Sequence, residues 1–250
     1  MKKINQFDAA LNRTELQTLL RLIGEKVDPA LLNLLLKQGR GFLESVGSSE
    51  NRPAATGERW QDRIIAGEVR DGASILDLGC GEGNLLSWLQ REKNARVQGV
   101  EIDADQVAIC VEKGIPVIQT DLDLGLRGFP DKCFEYVILE ETLQTLKRPD
   151  VILDEMLRVG HRGIVTFPNF GYWRVRLDLA VRGRMPVTEW LPHRWFETPN
   201  IHLFSISDFI EHANAIKMRI IGIHVHGDGE SRPFREGDNL YAEEAVVIFE

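Results

Sequence analysis

The stretch Ile75-Leu76-Asp77-Leu78-Gly79-Cys80-Gly81-Glu82-Gly83 decides the fold. It reads as a short apolar strand, a glycine-rich turn and a helix opening at Asn84-Leu85-Leu86. Glycines past the end of a strand allow positive φ and let a ligand approach without meeting a Cβ. The helix that follows offers free N–H groups and the positive end of its dipole. Such a turn suits a nucleotide-like ligand. A dinucleotide fingerprint runs G-x-G-x-x-G, whereas here Asn84 fills the last position and Gly83 comes one residue early. Asp77 stands two residues before the first glycine, where it would repel a pyrophosphate and attract a sulfonium or ammonium group. Both departures count against an NAD-dependent dehydrogenase.

Working outward, Val97-Gln98-Gly99-Val100-Glu101-Ile102-Asp103 reads as a second strand ending in an acid. An acid about 20 residues past such glycines accepts hydrogen bonds from ribose hydroxyls, and Glu101 fits that role. A helix over 104–113 leads to the strand Val117-Ile118-Gln119, then to Asp121, placed to meet an adenine amino group. A fourth strand, Phe134 to Leu139, ends at Glu140-Glu141. Strand ends thus deliver Asp77, Glu101, Asp121 and Glu140 to one rim, where an open parallel sheet binds its ligands. A helix over Val151–Arg158, a fifth strand over Gly163–Phe167 and a closing pair at Met218–His224 and Ala245–Phe249 complete the pattern. The fold class is α/β, a Rossmann-like, doubly wound, mostly parallel sheet with an antiparallel strand at one edge. The polar stretch from Gly227 to Glu243 reads as a long mobile loop.

With these residues the chain resembles the class I S-adenosylmethionine-dependent methyltransferases, and within them the MetW-like methionine-biosynthesis proteins. The resemblance rests on Ile75–Gly83, Gly99–Asp103, Gly114–Asp123 and Val137–Arg148, then on Phe167–Arg176, Gly183–Thr188 and Thr198–Leu203. It covers roughly residues 60 to 215. It implies S-adenosylmethionine as cofactor, with S-adenosylhomocysteine as product, and methyl transfer to an acceptor the sequence does not name. It places Asp77, Gly79 and Gly81 at the methionine end, Glu101 at the ribose, and Asp121 with Leu122 at the adenine. Cys80, Gly83, Ile102 and Glu140 complete the implied cofactor site. It also implies an alternative role, a non-catalytic or sensory partner that supports a homoserine O-acyltransferase.

At 250 residues, the chain suits one α/β domain plus an appendage. A net charge of −8 argues against a nucleic-acid binder, which needs a basic surface. No apolar run is long enough for a membrane span, and the start lacks the apolar core of a signal peptide. The three cysteines, Cys80, Cys110 and Cys133, show no C-x-x-C spacing, so no zinc knuckle or disulfide framework is expected, and a cytoplasmic setting follows. Leu16, Leu19, Leu20, Ile23 and Val27 mark one face of a helix, and Asp28-Pro29 opens a second. Residues 1–44 therefore read as a helical N-terminal extension, 45–58 as a polar linker and 59–250 as the methyltransferase-like domain. The leucine-rich helices either pack on their own domain or form a homo-oligomer contact.

Residues 168–204 interrupt the fold between the fifth strand and the helix near Ser207, interleaving aromatic and basic side chains. Two readings stand: a lid that presents arginines to an anionic substrate or partner, or an amphipathic segment packing its aromatics on the sheet. Asn169 and Tyr172, just past the fifth strand, are the residues expected to point inward, with Arg174 and Arg176 behind them. His224-x-His226 suggests an exposed strand end ahead of a metal site, and Cys80 a small packing residue ahead of a nucleophile. No G-x-S-x-G occurs, so a hydrolase triad finds no support.

Overall fold

The computed structural model describes residues 59–227 and 229–250. The expected helices within 1–44 and the linker 45–58 lie outside the described residues. The described chain divides into two compact units, Trp173–Pro192 and the rest.

In the larger unit, α1 (Trp60–Glu68) precedes β1 (Ser74–Leu78), α2 (Asn84–Lys93), β2 (Arg96–Glu101), α3 (Ala104–Glu112), β3 (Val117–Gln119) and β4 (Phe134–Glu140). Then come α4 (Pro149–Val159) and β5 (Gly160–Pro168). The strands form one eight-stranded sheet in the order β3-β2-β1-β4-β5-β8-β6-β7. Pairs among β1 to β5 are parallel. The chain winds away from β1 first through β2 and β3, then through β4 and β5. The switch point therefore lies between β1 and β4, where such sheets place their ligands.

Alternation along each strand splits the core between the two faces. Leu76, Val137, Leu139 and Val165 join Met156 of α4 on one side. Ile75, Ile138 and Ile164 join Ile65 of α1, Leu86 and Leu89 of α2 and Cys110 of α3 on the other. Pro at the first position of α4 suits its fixed φ.

After the smaller unit the chain runs through α6 (Ile206–Ala215), β6 (Ile220–Gly227), β7 (Glu230–Pro233), α7 (Asp238–Tyr241) and β8 (Glu244–Phe249). Ser205 and Asp208 form a capping box at the start of α6. The expected closing pair forms as β6 against β8, and a strand that the sequence reading did not expect, β7, is added beyond it. β8 lies between β5 and β6, and the edge strand is β7, so three neighbouring pairs are antiparallel and two strands, β8 and β7, run against the others. The stretch expected as a mobile loop contains β7 and α7, tied by Arg232, whose guanidinium bonds both oxygens of Asp238 at 2.5 and 2.7 Å. That pairing closes a short loop that composition alone reads as breaker-rich.

In the smaller unit α5 (Trp173–Leu177) continues into a π-helical turn over Asp178–Arg182 that ends on left-handed Gly183. The Arg174 guanidinium lies 5.3 Å from the Trp173 ring centroid, a cation–π contact. Thr188 and Leu191 exchange two hydrogen bonds around Glu189-Trp190. Among the described residues no helix is long and apolar enough to cross a membrane.

Candidate functional site

The ends of β1, β2 and β4 carry the site. Past β1, the Gly79 and Cys80 amides both donate to the Val100 carbonyl, at 2.8 and 3.0 Å, which turns the loop over the end of β2. Gly79, Gly81 and Gly83 all have positive φ. A Cβ on Gly79 would stand 2.8 Å from Thr142 Oγ1, and one on Gly83 3.0 Å from Cys110 Sγ. At Gly81 the nearest atom is 3.9 Å away, so its outer face is open to a ligand. Gly83 caps α2.

Glu101 ties the loop to β2. Its Oε2 accepts from the Gly81 amide at 2.9 Å, and its Oε1 from Ile102 and Asp103 at 2.8 and 3.0 Å. Each carboxylate oxygen carries about two lone-pair sites, so Oε2 keeps one to accept from a ligand. Ile102 is 60% exposed beside it.

Asp77, at the end of β1, is buried, and its Oδ1 has no hydrogen-bond partner. Burial pushes its carboxyl up to about 7, against the pull of Arg59, with Asp62 and Glu101 adding to the rise. Across the switch point, Glu140 accepts from Arg59 Nη2 at 2.5 Å through Oε2, while its buried Oε1 has no partner. Burial pushes Glu140 up as well, although Arg59 opposes it. The opposite cation keeps the pair hydrogen-bonded, as a buried charge requires.

The sequence reading assigned no site residue to the start of α1. Arg59 joins Asp62 and Glu140, and Gln61 Nε2 donates to Glu141 Oε1 at 2.9 Å. Trp60 Nε1 donates to Glu244 Oε2 at 2.6 Å, and its ring stacks on His226 with centroids 5.2 Å apart. His226 Nδ1 also lies 2.9 Å from Ser231 Oγ. The one available signal was a charged and amide-bearing run at the mouth of a helix that precedes the glycine strand.

Cys80 and Cys110 face each other with Sγ atoms 4.0 Å apart, and Cys110 Sγ donates to the Gly81 carbonyl at 3.1 Å. Burial pushes both thiols up, which disfavours a thiolate nucleophile. Past β3, Asp121 caps the 3-10 turn Leu122–Leu124 by accepting from the Asp123 amide at 2.9 Å. The Leu122 side chain lies in the core.

Asn169, past β5, has every hydrogen-bond position taken by the chain. Its Nδ2 donates to the carbonyls of Asn239 and Ala242, and its Oδ1 accepts from Gly171 and Ile206. It braces three loops. Tyr172 is buried. Arg174 and Arg176 belong to the smaller unit, on α5. A cavity of about 530 Å³ opens beside β3, bordered by Ile118, Asp123, Leu124 and Arg127. None of the expected cofactor contacts lines it, but Thr120 and Asp123, on either side of Asp121-Leu122, do.

A mostly parallel sheet with this switch point and glycine loop is the fold of the S-adenosylmethionine-dependent methyltransferases. Solved structures of that class overlay accordingly. One from Archaeoglobus fulgidus is 15% identical, with a TM-score of 0.56 over 89% of this chain and 99% of that one. A TehB-like methyltransferase from Corynebacterium glutamicum is 17% identical, with a TM-score of 0.52 over 89% and 98%. Within that fold the sequence is more particular: residues 59–249 match the family described as methionine biosynthesis protein MetW, and the chain belongs to it. The bifunctional methionine biosynthesis protein MetXA/MetW of Rhodopirellula baltica is 33% identical over 221 residues, covering 82% of this chain but 35% of that protein. The fatty-acid O-methyltransferase of Mycolicibacterium smegmatis is 32% identical over 126 residues, 48% of this chain and 41% of that protein. The chain thus spans well under half the length of these two relatives.

Proposed function

We propose that the chain binds S-adenosylmethionine at the ends of β1, β2 and β4 and serves methionine biosynthesis as a methyltransferase. The observation that carries this is the buried, unpartnered Oδ1 of Asp77 behind an open glycine loop. A buried acceptor calls for a donor, and here a cationic one. The residues present fit the cofactor. Asp77 with Gly79 and Gly81 would hold the methionine end, and Cys80 and Gly83 shape the loop. Glu101 would take the ribose hydroxyls on its remaining lone pair, with Ile102 alongside. Asp121 and Leu122 would meet the adenine, and Glu140 would close the site from β4. When bound, the cofactor supplies a methyl group already activated by its sulfonium; the protein supplies alignment and exclusion of water. Calorimetric titration with S-adenosylmethionine and S-adenosylhomocysteine tests this. Micromolar binding that is lost in Glu101→Ala is expected; no binding by folded protein would overturn it.

A second, compatible reading makes the chain a partner subunit of a homoserine O-acyltransferase. The Rhodopirellula baltica relative favours it, because one polypeptide there carries both MetXA and MetW in its name. Co-purification with the acyltransferase, together with a change in its rate, is expected. Neither association nor a rate change would sink the reading.

A further inference from the structure

We propose that Gln144 and His202 form a second ligand subsite, and that the group it receives is a small amine. Gln144 sits in the 3-10 turn after β4 and is 4% exposed. Its Nε2 donates to the Glu141 carbonyl at 2.7 Å, while its Oε1 is buried without a partner. His202 arrives from the far side of the β5–α6 connection, and its Nε2 is likewise buried without a partner. The amides of Ile201 and His202 both donate to the Gln144 carbonyl, at 2.9 and 3.0 Å. Two distant segments are thus tied at one carbonyl, each bringing an unsatisfied polar atom. The same turn borders the glycine loop, since Thr142 Oγ1 lies 2.8 Å from where a Gly79 Cβ would be.

The chemistry of the ligand follows from what these atoms lack. Gln144 Oε1 and Gln61 Oε1, both amide oxygens, are buried without partners. The two amide oxygens accept in every protonation state, and neutral His202 accepts at Nε2 when its proton sits on Nδ1. A buried acceptor without a donor bears the full desolvation of that group. An amine brings several N–H donors and, when protonated, a charge that the neighbouring carboxyls favour. A hydroxyl brings one donor, and a carboxylate or phosphate brings none when ionised. Placing this group as the methyl acceptor rests on the donor-binding reading above; the preference for an amine does not.

The test is an NMR titration of the isotopically labelled full chain, with the His202 ring signals assigned through His202→Asn. Ethanolamine is the probe, with ethylene glycol and acetate as its neutral and anionic counterparts, in the presence and absence of S-adenosylhomocysteine. Ethanolamine is expected to shift the His202 ring signals with a millimolar midpoint, a strength fitting so few atoms. Gln144→Leu, or Gln144→Met should the first variant not fold, should weaken that response at least tenfold and leave S-adenosylhomocysteine affinity within twofold. No response to ethanolamine, an equal response to acetate or ethylene glycol, or a response that survives both variants overturns the proposal. So does a ring nitrogen that reports an internal water only. Failure of S-adenosylhomocysteine to bind while ethanolamine still does would fall on the donor reading and leave the amine subsite standing.

Discussion

The amide of Gly81 donates to Glu101 Oε2 at 2.9 Å, so the acid at the end of β2 holds the glycine loop that follows β1. Two strands therefore share one carboxylate, which also anchors Ile102 and Asp103. Glu101→Ala leaves three amides without that partner. The expected result is a donor affinity at least tenfold weaker and a stability loss of about 1–3 kcal/mol. Calorimetry and urea unfolding of the same sample measure the two together; unchanged values for both would contradict the shared-carboxylate arrangement.

Asp77 gives the protein a pH signature. Its carboxyl titrates at about 7 in the folded chain against an ordinary value of 3.8. The folded state therefore holds more protons between those values, and stability falls as pH rises through that window, then levels off. The slope approaches about 1.4 kcal/mol per pH unit for one such group. Asp77→Asn should flatten it, and should stabilise the protein above neutrality while weakening donor binding. Urea midpoints across the window decide this; equal slopes in the two proteins would count against it.

Gly79 faces two separable constraints, its φ of +74° and the side chain of Thr142. Gly79→Ala should cost about 1–2 kcal/mol for the left-handed backbone, plus a steric share. Thr142→Ala in the same chain should recover the steric share alone. Thermal unfolding of the single and double variants separates the two; full recovery would mean the backbone conformation carries no cost.

Asn169 braces the loops around β5, α6 and α7 through four hydrogen bonds. Asn169→Asp cannot donate to the carbonyls of Asn239 and Ala242. It should cost more than about 2 kcal/mol above the carboxyl's pKa and less below it, where the protonated acid regains one donor. A pH-independent loss would remove that explanation.

Much of this site could be read from local patterns. Glu101 and Glu140 end their strands and Asp77 is the last residue but one of β1, and the period of the strand together with the glycines announces where it stops. Arg59, Trp60 and Gln61 were not legible because their partners, Glu140, Glu244 and Glu141, lie 81, 184 and 80 residues away. No periodicity encodes such pairings. Gln144 and His202 lay inside segments that carried the family resemblance, yet their significance depends on what does not bond to them. β7 escaped because Glu230-Ser231-Arg232-Pro233 has none of the composition of a strand; the register with β6 and the Arg232–Asp238 pair make it one.

The Phe170 amide donates to the Phe204 carbonyl at 3.2 Å, so the connection after β5 departs and returns at one place. One backbone hydrogen bond thus closes the whole excursion of the chain. No residue from 173 to 192 takes part in the hydrogen bonds that pair the strands or in those that hold Gly79, Cys80 and Gly81. The strand ladder and the glycine loop therefore keep their own hydrogen bonds whatever sequence occupies that stretch.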